Sequence, residues 1–186
     1  DLGERIRDVL QGPDGLLYAS AGDGASFDTE DWGQANNPCG DPTNEGGGLR
    51  AQDIRTGSDP LGLGGTIFRI DPAGGQVAAG AQANASRIVT YGQRNPWRLA
   101  FRPGTSELWS ADVGASTWEE VNRTDISAFT GPVNLGWPCY EGAYTGIQKQ
   151  AGWDALDKPV CENLYAAESA SPGTVRAPYF SYRTRG

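Results

Sequence analysis

The chain has 186 residues, 38% of them hydrophobic, with a formal net charge of −8 and a pI near 4.5. That length can bury one real core and is short for two large ones, so residues 1–186 are read as a single domain. The fifteen basic residues, thirteen of them Arg, are scattered, which argues against nucleic acid as a partner, and no apolar run approaches the roughly 20 residues of a membrane helix, so no membrane insertion is expected.

The 27 Gly and 12 Pro fall between short apolar runs rather than in one block, which favours strands joined by turns and sets the expectation of an all-β fold. In chain order, RIRDVLQ (5–11) reads as the first strand, and the turn GPDG leads into LLYASA and an Asp-Gly exit. GTIFRID (65–71), SRIVTYG (86–92) and WRLAF (97–101) follow. RPGTSELWSADVG (102–114) then repeats the earlier hairpin grammar, and WEEVNRT (118–124) is the last clear strand.

Residues from Ser86 to about Asp125 fit one four-stranded antiparallel sheet the size of a propeller blade. The expected architecture is therefore a β-propeller of such blades. Propellers close with about four to eight blades of roughly 40 to 60 residues, so this chain supplies about three and leaves the ring incomplete. Its open blade edges are expected to promote self-association. Two long polar connections, 29–61 and 134–178, are expected on the blade-top face, because loops of that size are usually functional.

Of the three cysteines, Cys139 and Cys161 enclose a segment rich in Pro, Gly and Tyr, so a disulfide between them is expected, with Cys39 left over or paired elsewhere. An exported protein is the expectation that goes with that pairing, and three buried free thiols in a cytoplasmic protein are the alternative. The chain opens at Asp1 rather than Met, as a mature protein or an excised piece would.

One step stands apart from the strand grammar: Arg94-Asn95-Pro96 directly precedes WRLAF. Pro96 cannot donate to a sheet ladder and pushes Asn95 toward an extended conformation. Arg94 and Asn95 are thus expected at the mouth of the strand, facing a ligand.

Five segments, GPDGLLYASAGDGAS, LGGTIFRIDPAGG, YGQRNPWRLAF, DVGASTWEEVNR and NLGWPCYEG, resemble in order and spacing the soluble quinoprotein glucose/sorbosone dehydrogenases. These aldose sugar dehydrogenases are six-bladed β-propellers that use pyrroloquinoline quinone and calcium. The resemblance covers most of 4–142 and extends weakly to APYFSY, which is similar to the start of a following blade. It implies a partial or internally deleted member of the family. By resemblance, Arg94 and Asn95 contact the quinone, a tricarboxylate that a planar guanidinium grips through paired charge-assisted hydrogen bonds. The carbonyls of Gly114 and Ala115 inherit the cofactor's calcium, and Glu120 with the Leu135 carbonyl inherits a second, structural calcium.

The family's general base is a histidine, and counting back from Gly12 to its position lands on Glu4; the chain has no histidine. A carboxylate serves as that base only where burial raises its pKa. LGERIRDVLQGPDG also resembles a later blade of the same family, and on that alignment Arg5 or Arg7 faces the centre instead. The resemblance implies part of a secreted or periplasmic dehydrogenase that oxidises the C1 hydroxyl of an aldose by hydride transfer to the quinone and passes electrons to an acceptor, inactive as this fragment. The alternative expectation is a non-catalytic β-propeller module that binds a protein or a glycan.

Overall fold

Alternating runs become strands where each was expected. The computed structural model describes residues 5–25, 40–74 and 84–184. Its strands are β1 (Ile6–Gln11), β2 (Leu17–Ala21), β3 (Thr66–Ile70), β4 (Ile88–Tyr91), β5 (Pro96–Phe101), β6 (Glu107–Asp112) and β7 (Trp118–Asp125), followed by β8 (Val133–Asn134), β9 (Tyr140–Gly142), β10 (Ile147–Lys149) and β11 (Phe180–Arg183). A 3-10 segment spans Gly47–Arg55, and two α-helices, α1 (Ala151–Asp154) and α2 (Pro159–Ala170), lie between β10 and β11. The repeated hairpin grammar has a shared cause: Gly15 and Gly104 close the β1–β2 and β5–β6 turns at φ of 83° and 73°, a backbone state that favours glycine.

Two blade-sized sheets result. One has the order β1-β2-β3-β4-β8, antiparallel except for the parallel β4–β8 pair; the other is β5-β6-β7-β11, antiparallel throughout. This corrects the expected blade boundary. β4 completes the first sheet, with Ile67 opposite Thr90 and Phe68 opposite Ile88, because Gly92 at φ 73° and the Arg-Asn-Pro step carry the chain out of one sheet before β5 begins the next. APYFSY does not open a following blade. It supplies β11, the fourth strand of the second sheet, with Ser181 opposite Glu120. Among the described residues a third, two-stranded sheet pairs β9 with β10, and the rest of 134–178 is largely taken up by α1, α2 and their connections.

The sheets pack face to face. Along β7, Trp118, Glu120, Asn122 and Thr124 are buried and the residues between them are not, the period-two pattern of a half-covered strand. Tyr18, Ile67 and Val89 of the first sheet share a core with Leu99 and Leu108 of the second, and each such side chain contributes about 1.5–3 kcal/mol by burial. Asp8 of β1 accepts the Leu99 amide of β5 at 2.9 Å, so the first strands of the two blades lie side by side. Among the described residues β11 pairs on one side only, and Phe180 and Tyr182 stand 58% and 49% exposed there.

Both long connections meet in a separate core, where Leu49 and Ala51 of the 3-10 segment pack with Trp137, Trp153, Leu164 and Tyr165. α2 starts on a proline, whose missing amide costs nothing in a first helical turn. The Cys139–Cys161 disulfide is present, its Cα atoms 5.1 Å apart, and ties α2 to the residue preceding β9; Cys39 lies outside the described residues. Replacing both bonded cysteines with serine is expected to lower stability by about 3 kcal/mol, the loop-closure cost for a loop of this size. Urea denaturation checks this, and a change near zero would mean the aromatic core alone holds the helices.

Candidate functional site

Gln93, Arg94 and Asn95 form the crossing between the two sheets, and β6 holds all three. The Asp112 carboxylate accepts the Asn95 amide at 2.6 Å and the Arg94 amide at 3.0 Å. The Val113 amide returns a bond to the Asn95 carbonyl at 3.1 Å. The Arg94 guanidinium donates through Nη1 to the carbonyls of Gly114 at 2.9 Å and Val113 at 3.2 Å, and lies 5.8 Å from the Trp137 ring centre. On the opposite side, Asp23 donates its amide to the Arg94 carbonyl at 2.9 Å and accepts the Trp137 indole N–H at 2.8 Å. Gln52, fully buried, fixes Trp137 by donating to its carbonyl at 2.7 Å.

These contacts frame a cavity of about 20 Å³ lined by Arg5, Arg7, Asp23, Arg94 and Asn95. Asn95 is only 5% exposed, yet its Oδ1 has no hydrogen-bond partner. A buried amide oxygen left unpaired is costly, so a donor from a ligand would relieve it. Arg7 places its guanidinium 5.6 Å from the Trp97 ring centre. Three guanidinium groups against one buried carboxylate suit an anion the size of a single carboxylate group. Burial raises the Asp23 carboxyl above its ordinary range, opposed by the Ala25 amide, the Trp137 indole and Arg94.

Oxygen donors gather beside the cavity. Gly114 donates its amide to Glu119 Oε2 at 3.2 Å, and Ala115 donates to Glu141 Oε1 at 3.0 Å. Glu120 sits opposite Asp112 in the β6–β7 register and accepts the Gly142 amide at 2.6 Å. Burial pushes the Glu120 carboxyl up to about 7, with Glu141 adding to the rise. Burial, and then Glu120, raise Asp112 well above the usual carboxylate range, and burial raises Glu141. Carboxylate and carbonyl oxygens are the donor type that calcium takes, although among the described residues these carboxylates do not close into one group of ligand atoms within 4.8 Å.

The expected site residues thus divide. Arg94, Asn95, Gly114 and Ala115 share one hydrogen-bonded group, and Glu120 adjoins it. Leu135 hangs from the first sheet, its amide donating to the Tyr91 carbonyl at 2.8 Å. Glu4 lies outside the described residues. Arg5 and Arg7 line the cavity. Sequence reasoning missed Asp112, Asp23 and Glu141. Each stood inside a quoted motif, DVG, GDG or CYEG, and lacked a local signal for its partner. Glu45, Asp53 and Asp59 form another unforeseen group, their carboxylate oxygens within 4.8 Å of one another.

Fold and site together define a partial β-propeller with an arginine-lined pocket where its blades meet. Residues 44–175 match the glucose/sorbosone dehydrogenase family, and the chain belongs to it. The HIPL2 protein of Arabidopsis thaliana is 31% identical over 144 residues, covering 73% of this chain and 18% of its own length. HIPL1 of the same plant is 32% identical over 157 residues, 72% of this chain and 18% of its own. The chain therefore spans under a fifth of the curated relatives it matches. Among solved structures, the PQQ-bound form of an aldose sugar dehydrogenase from Streptomyces coelicolor superposes with a TM-score of 0.51 at 22% identity, over 94% of this chain and 34% of that one. A glucose dehydrogenase crystal structure gives 0.56 at 19%, over 95% and 39%. They share the fold, and this chain is part of a propeller.

Proposed function

We propose that this chain supplies the quinone-contacting part of a sugar dehydrogenase that uses pyrroloquinoline quinone to oxidise the C1 hydroxyl of an aldose. The unpartnered, buried Asn95 Oδ1 in a cavity with Arg5, Arg7 and Arg94 carries the reading. The PQQ-bound state of the Streptomyces coelicolor relative is in keeping with it. When bound, the quinone accepts hydride from the sugar.

The chain's own residues bind and orient. Arg94 and Arg7 take a carboxylate of the quinone, Asn95 Oδ1 accepts an N–H or O–H from it, and the Asp23–Trp137 pair closes the opposite wall against water. The carbonyls of Gly114 and Ala115 are proposed to hold the cofactor calcium, with Glu141 beside them, which requires Arg94 to release the Gly114 oxygen. Glu120 and Leu135 are proposed for the structural calcium. Glu4 is proposed as the base, and without a histidine the fragment alone is proposed to be inactive. Secretion or periplasmic residence is supported by the disulfide. Transfer to an electron acceptor and self-association through the open blade edges complete the proposal. The absence of histidine favours the second reading, a non-catalytic module for a protein or glycan.

Titration of the protein with pyrroloquinoline quinone in calcium, followed by absorbance and heat, decides between them. Saturable binding weakened about tenfold or more by Arg94→Ala is the expected result, since one charge-assisted hydrogen bond is worth at least that factor. No binding by the unmodified protein would sink the dehydrogenase reading. A protein or glycan partner whose binding survives Arg94→Ala would establish the second.

A further inference from the structure

We propose that Asp112 is the positioning residue of this site: it holds Arg94 and Asn95 in register for an anionic ligand, an inference that rests on the reading of the cavity as an anion pocket. A single buried carboxylate, 6% exposed, takes two consecutive amides on its two oxygens, at 2.6 and 3.0 Å. Successive N–H groups that converge on one anion fix the peptide planes between them. Pro96 has no amide to offer, so Arg94 and Asn95 are the last donors before β5. The Val113 amide closes the ring of contacts on the Asn95 carbonyl.

β6 extends the clamp by its own periodicity. Ser110 and Asp112 are two residues apart and share a face of the strand. Ser110 Oγ accepts from Gln93 Nε2 at 3.2 Å, and Gln93 Oε1 accepts from Thr90 Oγ1 at 2.9 Å. Gln93, Arg94 and Asn95 are therefore anchored one after another along a single strand edge. The Arg94 and Asn95 side chains leave this anchored backbone toward the cavity, so an error in the clamp becomes an error in where the guanidinium and the amide oxygen stand. Ligand grip by a planar, two-point donor is sensitive to such displacement.

Asp112→Asn tests this, because it keeps the volume and one acceptor oxygen while replacing the other with a carboxamide NH2, which donates and cannot accept from a backbone amide. Quinone affinity, measured in calcium by calorimetry, is expected to fall about tenfold. In an Arg94→Ala/Asn95→Ala background the same change is expected to cost less than about twofold, since the groups it positions are gone. Equal losses in both backgrounds would overturn the proposal and leave the anion pocket standing; no quinone binding by the unmodified protein would overturn both. A second measurement needs no variant. The Arg94 and Asn95 amide proton resonances, already locked on Asp112, are expected to stay fixed as quinone is added while the Arg94 side-chain resonances move. Large shifts of the two amides would show that the ligand, not Asp112, sets the geometry.

Discussion

Gly114→Ala is expected to cost more than about 4 kcal/mol of stability and to abolish quinone binding in the same variant, an effect of the size reserved for a backbone forced apart. A Cβ at this position would overlap the Trp118 carbonyl oxygen and stand 2.9 Å from Glu141 Oε1. The glutamate can swing away. The Trp118 carbonyl cannot, because it belongs to the first residue of β7, whose side chain is 3% exposed and which is held opposite Arg183 of β11. Opening the connection between β6 and β7 is then the remaining way out, and it removes the Gly114 carbonyl from Arg94 and the Gly114 amide from Glu119. Stability and ligand binding should therefore fail together. Urea unfolding and quinone titration of the one variant test this. A loss below about 1 kcal/mol would show that the connection relaxes freely and that the close approach imposes no constraint.

The same dependence on distant partners explains which parts of the molecule were legible in the sequence. The strand bodies were, because the alternation in ELWSAD or WEEVNRTD and the short buried run LYASA behind its turn are local information. Arg94 and Asn95 were legible for a similar reason: the ring of Pro96 dictates where a strand can begin. The sheet to which β4 belongs was not, since the short run IVTY reads the same whether it pairs with β3 or β5. Gly92 decides it, and that turn is crowded by Asn134 and Gln52 from remote segments, 2.5 and 2.7 Å from where a Cβ would stand. β11 is four residues long and finds β7 across the whole disulfide-bonded excursion. α2 does carry a local signal, with Val160, Cys161, Leu164 and Tyr165 buried on one side behind a starting proline. Turn-rich flanks and the expectation of a loop hid it. Asp112 and Glu141 were illegible as site residues because their chemistry is defined by amides far away in the chain.

Glu120→Gln is expected to stabilise the metal-free protein by roughly 3 kcal/mol at and above about pH 7 and to leave it unchanged below about pH 4.5. The folded-state carboxyl titrates near 7 against an ordinary 4.5, chiefly because it is buried. A folded state that holds its proton more tightly than the unfolded chain loses stability as pH rises. The loss begins at the unfolded pKa, runs at about 1.4 kcal/mol per pH unit, and levels off once the folded group has ionised as well. Glutamine keeps an oxygen for the Gly142 amide and carries no charge to desolvate. The gap between the two proteins should accordingly open across that window. A residual slope should persist in the variant, because burial raises Asp112 and Glu141 too, although Asp112 loses a repulsive neighbour. Urea titrations in chelator from about pH 4 to about pH 8.5 measure it. Calcium reverses the sign for the unmodified protein alone if Glu120 is a ligand, since a bound cation favours the ionised carboxylate. A variant less stable than the original at every pH would mean that the hydrogen bonds from Gly142 and Asn122 outweigh the burial of the charge.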